Sequence, residues 1–272
     1  MAVETINGTT LGYDLDGEGD AVVLIHGSWV DRHTWAFVAS QLADAFRVVT
    51  YDRRGHGESV PEPEGSTVHD DVADVAALIT ALEIAPARVV GTSLGSAIAL
   101  RLAATHPELV SRMVCHEPPL RSVLEADPQT RAMAEDEERR LAVVRERLEQ
   151  GDHVGAAEYF MDDVAFGPGT WAQLPPPIQE VSLHHAPTFQ GELLDHDAFR
   201  AEPELLARAA APVLLTNGEQ SPPIFAAILE RLVRIVPDAR VQVIPGAGHV
   251  PHISHAGQYT PVVRSFLLGE AG

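Results

Sequence analysis

The chain contains 272 residues, of which 45% are hydrophobic and 21% are charged, ordinary values for a globular protein long enough to bury a full core. Its formal charge of −20 opposes binding to nucleic acid and to anionic membranes, so neither is an expected partner. The single cysteine, Cys115, excludes an internal disulfide, and the lack of a long apolar run or a signal-peptide pattern predicts a cytoplasmic protein.

The first part of the chain alternates predicted strands and helices. Residues 5–16 carry the turn pair Asn7-Gly8 and predict two antiparallel strands. Residues 21–25 form a continuous apolar run, which is typical of a strand covered on both faces. Apolar residues at helical spacing predict a helix over residues 33–43, and a further strand is predicted over residues 46–51.

The next stretch repeats this alternation. A Pro/Glu-rich loop extends to Ser66 and is followed by a predicted helix over residues 68–83. A strand is predicted over residues 87–90, then a helix that ends near residue 106, then a strand over residues 110–116. The order strand, helix, strand is the repeating unit of a parallel sheet.

Between residues 118 and 210 the alternation stops and only helices are predicted. They lie over residues 131–150, 154–161 and 178–185, separated by Gly- and Pro-rich turns. The alternation returns near residue 212. The remaining predicted elements are strands over residues 212–216 and 241–244 and helices over residues 224–236 and 257–268.

These elements predict an α/β fold with a doubly wound, mostly parallel eight-stranded sheet and right-handed crossovers. The helices of residues 119–210 predict a cap inserted after the sixth strand, so that residues 1–118 and 211–272 form the core domain. In sheets of this kind, ligands bind at the carboxyl ends of the strands. The polar motifs described below all follow predicted strands at those ends, which indicates one common site.

A Gly-x-Ser-x-Gly pattern from Gly91 to Gly95 joins a predicted strand to an Ala/Leu-rich helix. A serine in such a turn is strained, with its hydroxyl exposed, and a Cβ at either glycine would collide with a neighbouring strand or helix. The Leu94 backbone N–H begins the helix and can bind an anion. A small-residue turn that packs a helix on a sheet is the alternative. The strand–turn–helix setting resembles the nucleophile turn of the α/β-hydrolase superfamily, which implies that Ser93 is a catalytic nucleophile.

A histidine, His249, follows the last predicted strand on a Gly-rich loop. The superfamily keeps the order serine, acid, histidine along the chain, so the resemblance implies that His249 is the general base, with a loop histidine as the alternative. His252 and His255 follow at intervals of three and suggest a metal-binding face, but no neighbouring carboxylate or cysteine completes it. We therefore predict neither a metal nor a cofactor.

Two loops near the start of the chain also resemble superfamily motifs. The His26-Gly27 pair resembles the HG loop, which implies that the Ser28 backbone N–H forms an oxyanion hole with that of Leu94. Trp29 then lies at the pocket wall or packs in the core. Residues 52–59 resemble the D-x-R-G-x-G-x-S loop of the superfamily, for which a structural role is expected.

The catalytic acid departs from the common superfamily pattern. Most members have an aspartate in a Gly-x-x-Asp segment after the seventh strand, but Ser221 occupies that position here. The candidates are Glu219, two residues earlier, and Glu117, at the end of the sixth strand. Residues 115–119 resemble the corresponding segment of zearalenone lactonases, superfamily members that carry the acid on the earlier strand. This resemblance favours Glu117 and leaves Glu219 as the alternative acid.

The resemblance as a whole implies a cofactor-independent serine hydrolase of carboxylic esters or lactones that works through an acyl-enzyme. Carbon–carbon bond hydrolysis and perhydrolysis need the same triad and stay open, as does a non-catalytic protein that binds small molecules on this fold. Large apolar residues of the predicted cap, Trp171 among them, indicate a pocket between cap and sheet and a small apolar ester or lactone as substrate. The assembly state stays open, with a homodimer as one alternative.

Overall fold

The computed structural model describes residues 1–59 and 65–270, and most of the predicted loop that extends to Ser66 lies outside these ranges. The strands are β1 (Ala2–Ile6), β2 (Thr9–Asp16), β3 (Ala21–Ile25), β4 (Arg47–Tyr51), β5 (Ala87–Thr92), β6 (Val110–His116), β7 (Val213–Gly218) and β8 (Ala239–Ile244). The α-helices are α1 (Ala36–Leu42), α2 (Val68–Ala81), α3 (Leu94–Thr105), α4 (Pro128–Glu149), α5 (His153–Tyr159), α6 (Thr170–Gln173), α7 (Pro176–His184), α8 (Ala186–Leu194), α9 (Pro203–Leu206), α10 (Pro223–Ile235), α11 (Pro251–Ser254) and α12 (Ala256–Leu268). None of these helices is long and apolar enough to cross a membrane.

The strands form one sheet in the order β1-β2-β4-β3-β5-β6-β7-β8. Asn7 and Gly8 join β1 to β2 with φ angles of 51° and 75°, the left-handed backbone that a two-residue hairpin turn requires. β2 pairs antiparallel with β4, and every later pair is parallel. The predicted doubly wound, mostly parallel eight-stranded sheet is therefore confirmed.

Helices cover both faces of the sheet because alternate residues of each strand point to opposite sides. Val22 and Leu24 of β3 pack with α1 and α12 on one face, whereas Val23 and Ile25 pack with α2, α3 and α10 on the other. All four side chains are fully buried. This explains the continuous apolar run at residues 21–25, since neither side of the strand meets water.

Between β6 and β7 the described residues form helices α4 to α9, a 3₁₀ turn at Arg121–Leu124 and a π-helical segment at Phe160–Ala165. Apolar side chains of α4 are buried in the same cluster that covers the α3 face of the sheet. These helices therefore share a continuous core with the sheet. The division of the chain into a core domain and a cap stays a prediction.

The structure has two helices, α7 and α8, where the sequence predicted one helix over residues 178–185. Pro187 lies in the first turn of α8. A proline lacks the N–H that would continue α7 and its ring clashes with the preceding turn, yet it fits well at the start of a new helix. The chain therefore breaks at His185 and begins α8 at Ala186, a helix that sequence reasoning missed.

Candidate active site

Ser93 lies at the turn between β5 and α3, with a φ of 50° and a ψ of −125°. This backbone conformation is unfavourable for serine and persists because the turn is tightly packed on both sides. A Cβ on Gly91 would lie 2.4 Å from the Gly95 carbonyl oxygen, and a Cβ on Gly95 would lie 2.3 Å from that of Ile25. Only glycine fits either position, so close packing of α3 against β3 holds Ser93 at the end of its strand.

His249 and Glu117 form a hydrogen-bonded pair beside the ends of β6 and β7. His249 Nδ1 donates to Glu117 Oε2 over 2.6 Å, and Glu117 is fully buried. The second carboxylate oxygen, Oε1, accepts a hydrogen bond from the Gly218 N–H over 2.7 Å. With its proton on Nδ1, the imidazole presents Nε2 as an acceptor, which is the form that a general base needs.

The protonation states around this pair follow from its surroundings. Burial raises the pKa of Glu117, but interactions that favour its ionised form, the hydrogen bond from His249 among them, lower it by more, so it lies below its ordinary value. Burial lowers the pKa of His116 to about 4, and its Nδ1 lies 3.0 Å from the Thr216 hydroxyl oxygen. At neutral pH, Glu117 is therefore an ionised carboxylate and His116 a neutral imidazole.

His116, Glu117 and His249 also offer three buried ligand atoms within 4.8 Å of one another, close enough to hold a metal ion. The hydrogen bond between His249 and Glu117 already accounts for the closeness of two of these atoms. A metal would compete with this bond for Nδ1, the nitrogen whose proton fixes the tautomer. His252 does not join the cluster, because it is buried against Trp35 with ring centres 4.5 Å apart.

Aromatic side chains from two elements hold the His249 ring. Phe225 of α10 stacks on it, with ring centres 4.6 Å apart and planes 17° from parallel. Phe166, after the π-helical segment, meets it edge-on at 5.9 Å. These contacts restrict rotation of the imidazole. Phe166 is one of the large apolar residues that the sequence predicted to pack between cap and sheet, whereas Phe225 was missed because no motif surrounds it.

Two backbone N–H groups lie unpaired near the Ser93 turn. Those of Ser28 and Leu94 donate to no acceptor within the residues that the structure describes. The loop that carries Ser28 lies directly against the turn, since a Cβ on Gly27 would be 3.1 Å from the Ser93 Cβ. Unpaired donors beside a nucleophile are what an oxyanion hole requires.

Buried polar groups fix the loop that carries Ser28. His26 Nδ1 donates to the Gly27 carbonyl over 2.8 Å, and His26 Nε2 accepts from the Arg53 N–H over 3.0 Å. In the neighbouring segment of residues 52–59, the Asp52 carboxylate accepts from two backbone N–H groups over 2.8 Å each. These contacts fix the loops that follow β3 and β4, next to the candidate site.

A buried charge network joins the same loop to helix α8. Ser28 Oγ donates to Glu192 Oε2, and Arg53 Nη2 lies 2.9 Å both from Glu192 Oε1 and from Asp71 Oδ2. Burial raises the pKa of Glu192 by more than Arg53 lowers it. Sequence reasoning missed Glu192, because its partners Ser28 and Arg53 lie more than a hundred residues away in the chain.

Ser93 and His249 line one pocket of about 510 Å³, including its open mouth. Its walls are mostly apolar, which suits a small organic ligand. The other lining residues are Ser28, Pro119, Arg121, Glu137, Leu141, Phe160, Val164, Ala165, Phe189, Phe199, Ile224, Phe225 and Ile228. They come both from the elements around the sheet and from the helices between β6 and β7.

Neither tryptophan singled out in the sequence is among the residues that line this pocket. Trp29 is buried behind the wall, with its ring centre 5.5 Å from that of Phe160 and 4.7 Å from that of Phe189. Trp171 is buried among the helices between β6 and β7, and its backbone N–H donates to Asp162 Oδ1 over 2.8 Å. Both residues support the pocket from outside its surface.

Glu219, the alternative acid, lies on the surface of the molecule. Its Oε2 accepts a hydrogen bond from the Gly246 N–H over 2.8 Å, and the residue is exposed. Of the two candidate acids, the one that contacts His249 is Glu117. Glu219 instead stabilises the turn that follows β8.

Comparison with known sequences gives the family of the chain. The sequence pattern of the alpha/beta hydrolase family matches residues 22–261, so the protein belongs to that family. A candidate non-heme bromoperoxidase of Mycobacterium tuberculosis is 48% identical over 106 residues, which are 38% of this chain and 40% of that protein. The match therefore extends over less than half of either chain.

Solved structures agree with this fold. An alpha/beta hydrolase from Sphaerobacter thermophilus superposes with a TM-score of 0.78 at 24% identity, covering 98% of this chain and 100% of the other. A thermophilic esterase from Thermogutta terrifontis gives a TM-score of 0.78 at 24% identity, covering 98% of both chains. At this level of identity the likeness concerns the fold alone.

Proposed function

We propose that the protein is a cofactor-independent serine hydrolase that cleaves carboxylic esters or lactones through an acyl-enzyme. The observation that carries the proposal is the 2.6 Å hydrogen bond between Glu117 and His249, an imidazole that lines the same pocket as Ser93. Membership of the alpha/beta hydrolase family supports a hydrolase. The mostly apolar lining of the pocket supports a small apolar substrate.

In the proposed reaction, Ser93 Oγ attacks the substrate carbonyl while His249 Nε2 takes the hydroxyl proton. The N–H groups of Ser28 and Leu94 bind the oxyanion that forms. His249 then passes the proton to the leaving alcohol, and the acyl group stays on Ser93. A water molecule, deprotonated by the same imidazole, attacks this acyl-enzyme and releases the acid. The Glu117 carboxylate stabilises the imidazolium in both halves of the reaction.

The experiment that tests this proposal measures hydrolysis of p-nitrophenyl esters of rising chain length and of small and macrocyclic lactones. We expect turnover by the wild type, covalent labelling by a fluorophosphonate, and loss of both in Ser93→Ala, with a fall in rate of several orders of magnitude. Ser40→Ala, on the exposed side of α1, is the matched control. Turnover by Ser93→Ala within tenfold of the wild type would refute the proposal.

Perhydrolysis is the second candidate. The likeness to the candidate non-heme bromoperoxidase of Mycobacterium tuberculosis favours it. Here a carboxylic acid acylates Ser93 with release of water, and hydrogen peroxide then attacks the acyl-enzyme in place of water, which yields a peracid and free Ser93. A peracid oxidises bromide. The test measures bromide oxidation in the presence of hydrogen peroxide and a short carboxylic acid. If Ser93 forms the peracid, this oxidation is lost in Ser93→Ala.

A further inference from the structure

Helix α4 carries a carboxylate within its buried stripe. Glu137 lies at helical spacing from the buried side chains of this helix, on the same face. The buried positions of α4 are Ala134, Leu141, Val144 and Leu148. An ionisable side chain on such a stripe is unfavourable unless it has a partner, because it loses contact with water.

The Glu137 carboxyl group has no such partner among the described residues. Its neighbours on the helix do: Asp136 lies 3.0 Å from Arg139 and 2.8 Å from Arg140, and Glu138 lies 2.5 Å from Arg121. Glu138, Arg139 and Arg140 are exposed, whereas Glu137 is half-buried. The carboxyl group without an ion pair is therefore partly shielded from water.

The space that Glu137 faces is the pocket of Ser93 and His249. Of the described residues that line this pocket, Glu137 is the only carboxylate. Arg121 is the only arginine in the same lining, and it is already engaged, since its guanidinium bonds to Glu138 and lies 5.0 Å from the Phe199 ring centre. Away from Ser93, His249 and Ser28, the described lining thus presents one carboxylate without an ion pair in a mostly apolar wall.

Partial burial raises the pKa of Glu137 above its ordinary value, because Arg121, Arg140 and His249 offset only part of the effect of the lost hydration. A half-buried carboxyl group without a partner in the protein can accept a hydrogen bond from a ligand that displaces its remaining water. A hydrogen-bond donor on a bound ligand would replace the hydrogen bonds to water that the carboxyl group loses.

We infer that Glu137 is a specificity-determining residue of the pocket. Its carboxyl group accepts a hydrogen bond from a hydroxyl, amide or ammonium group of the substrate. The same group opposes substrates that carry a carboxylate at that position, because two like charges in an apolar pocket repel. This inference rests on the proposed hydrolase function and adds to it a substrate class: apolar esters or lactones with a hydrogen-bond donor outside the ester group.

The test compares p-nitrophenyl alkanoates of one chain length that end in a methyl, a hydroxyl or a carboxylate group. kcat/KM is measured for the wild type, Glu137→Gln and Glu137→Leu. Glutamine keeps an acceptor oxygen but not the charge, and leucine keeps neither. Glu135→Gln, exposed on the same helix, is the matched control. Thermal unfolding of each variant confirms that it is folded.

Two ratios decide the outcome. In Glu137→Leu, kcat/KM for the ester that ends in a hydroxyl, divided by kcat/KM for the ester that ends in a methyl group, should fall about tenfold or more. A site that accepts a hydrogen bond from a substrate hydroxyl strongly favours that substrate over one that lacks the hydroxyl. In Glu137→Gln this ratio should be largely kept, while turnover of the carboxylate ester relative to the methyl ester should rise. Unchanged ratios in all variants, with the methyl ester still hydrolysed, would overturn the inference and leave the hydrolase intact. A wild type that neither hydrolyses any ester nor reacts with a fluorophosphonate would overturn both.

Discussion

The Arg53 guanidinium and the Glu192 carboxylate lie 2.9 Å apart and are both buried, one beside the sheet and the other on helix α8. Glu192 also accepts the hydrogen bond of the Ser28 hydroxyl. A single carboxylate therefore connects a helix between β6 and β7 to the residue whose N–H is proposed to bind the oxyanion.

Removal of the Glu192 carboxylate should weaken both the fold and the reaction. In Glu192→Ala, Ser28 loses its acceptor and Arg53 keeps only one of its two carboxylate partners, Asp71, so we expect the free energy of unfolding to fall by about 3 kcal/mol. Urea unfolding measures this. kcat should also fall more than KM changes, because the loop of the oxyanion hole is released.

The matched control for this variant is Glu180→Ala, on the exposed side of α7. Glu192→Gln keeps an acceptor for Ser28 and should be milder than Glu192→Ala in both measurements. Equal stability and equal kcat in Glu192→Ala and the wild type would mean that the network holds neither the loop nor the helix.

Glu117→Gln should lower kcat by roughly a hundredfold or more with a smaller change in KM, since glutamine keeps the shape but cannot stabilise the imidazolium. Glu219→Gln should change kcat only a few-fold, because Glu219 contacts the Gly246 backbone and not His249. Steady-state kinetics on one ester checks both variants. A larger loss of kcat in Glu219→Gln than in Glu117→Gln would show that Glu219, after β7, is the acid.

The stability of the protein should fall as the pH drops from about 7.5 to 5.5. Burial lowers the pKa of five histidines, so in the folded state they stay neutral in this range, whereas the unfolded chain takes up protons near the ordinary value of 6.5. These residues are His26, His56, His116, His185 and His252. Because the unfolded state binds more protons, the free energy of unfolding rises with pH, by up to about 1.4 kcal/mol per pH unit for each histidine.

Urea unfolding at several pH values measures this slope. His252→Gln removes one of the five groups and should reduce the slope by about one fifth, whatever it does to stability at a single pH. A free energy of unfolding that is the same at both ends of the range would contradict the neutral, buried state of these imidazoles.

Gly95→Ala should prevent correct folding or lower stability by several kcal/mol. The new Cβ would meet the Ile25 and His26 carbonyl oxygens at 2.3 and 2.6 Å, which are backbone atoms that cannot move aside. Gly257→Ala, within helix α12, is the control: its Cβ meets nothing within 4 Å, so alanine should be neutral or stabilising by up to about 1 kcal/mol. Thermal unfolding of the two variants tests the contrast.

The sheet and the residues beside Ser93 were predictable because their signals are local. Ser93, Glu117 and His249 each follow a strand that a short apolar run reveals, and the parallel sheet brings such strand ends together. The partners of Ser28 were not predictable, because Glu192 lies on a helix whose position depends on tertiary packing. Glu137 lies at helical spacing from the buried residues of its own helix, a pattern that the sequence alone contains. The pattern indicates a binding residue only once the helix is known to line a pocket.

Two adjacent strand ends serve the same imidazole. Glu117 extends from β6, yet its second oxygen is held by the Gly218 N–H at the end of β7, three residues before Ser221. The orientation of the imidazole therefore depends on the spacing between two strands. A change in β7 or in the turn after it would reach His249 through the Glu117 carboxylate, without altering any residue that touches the imidazole.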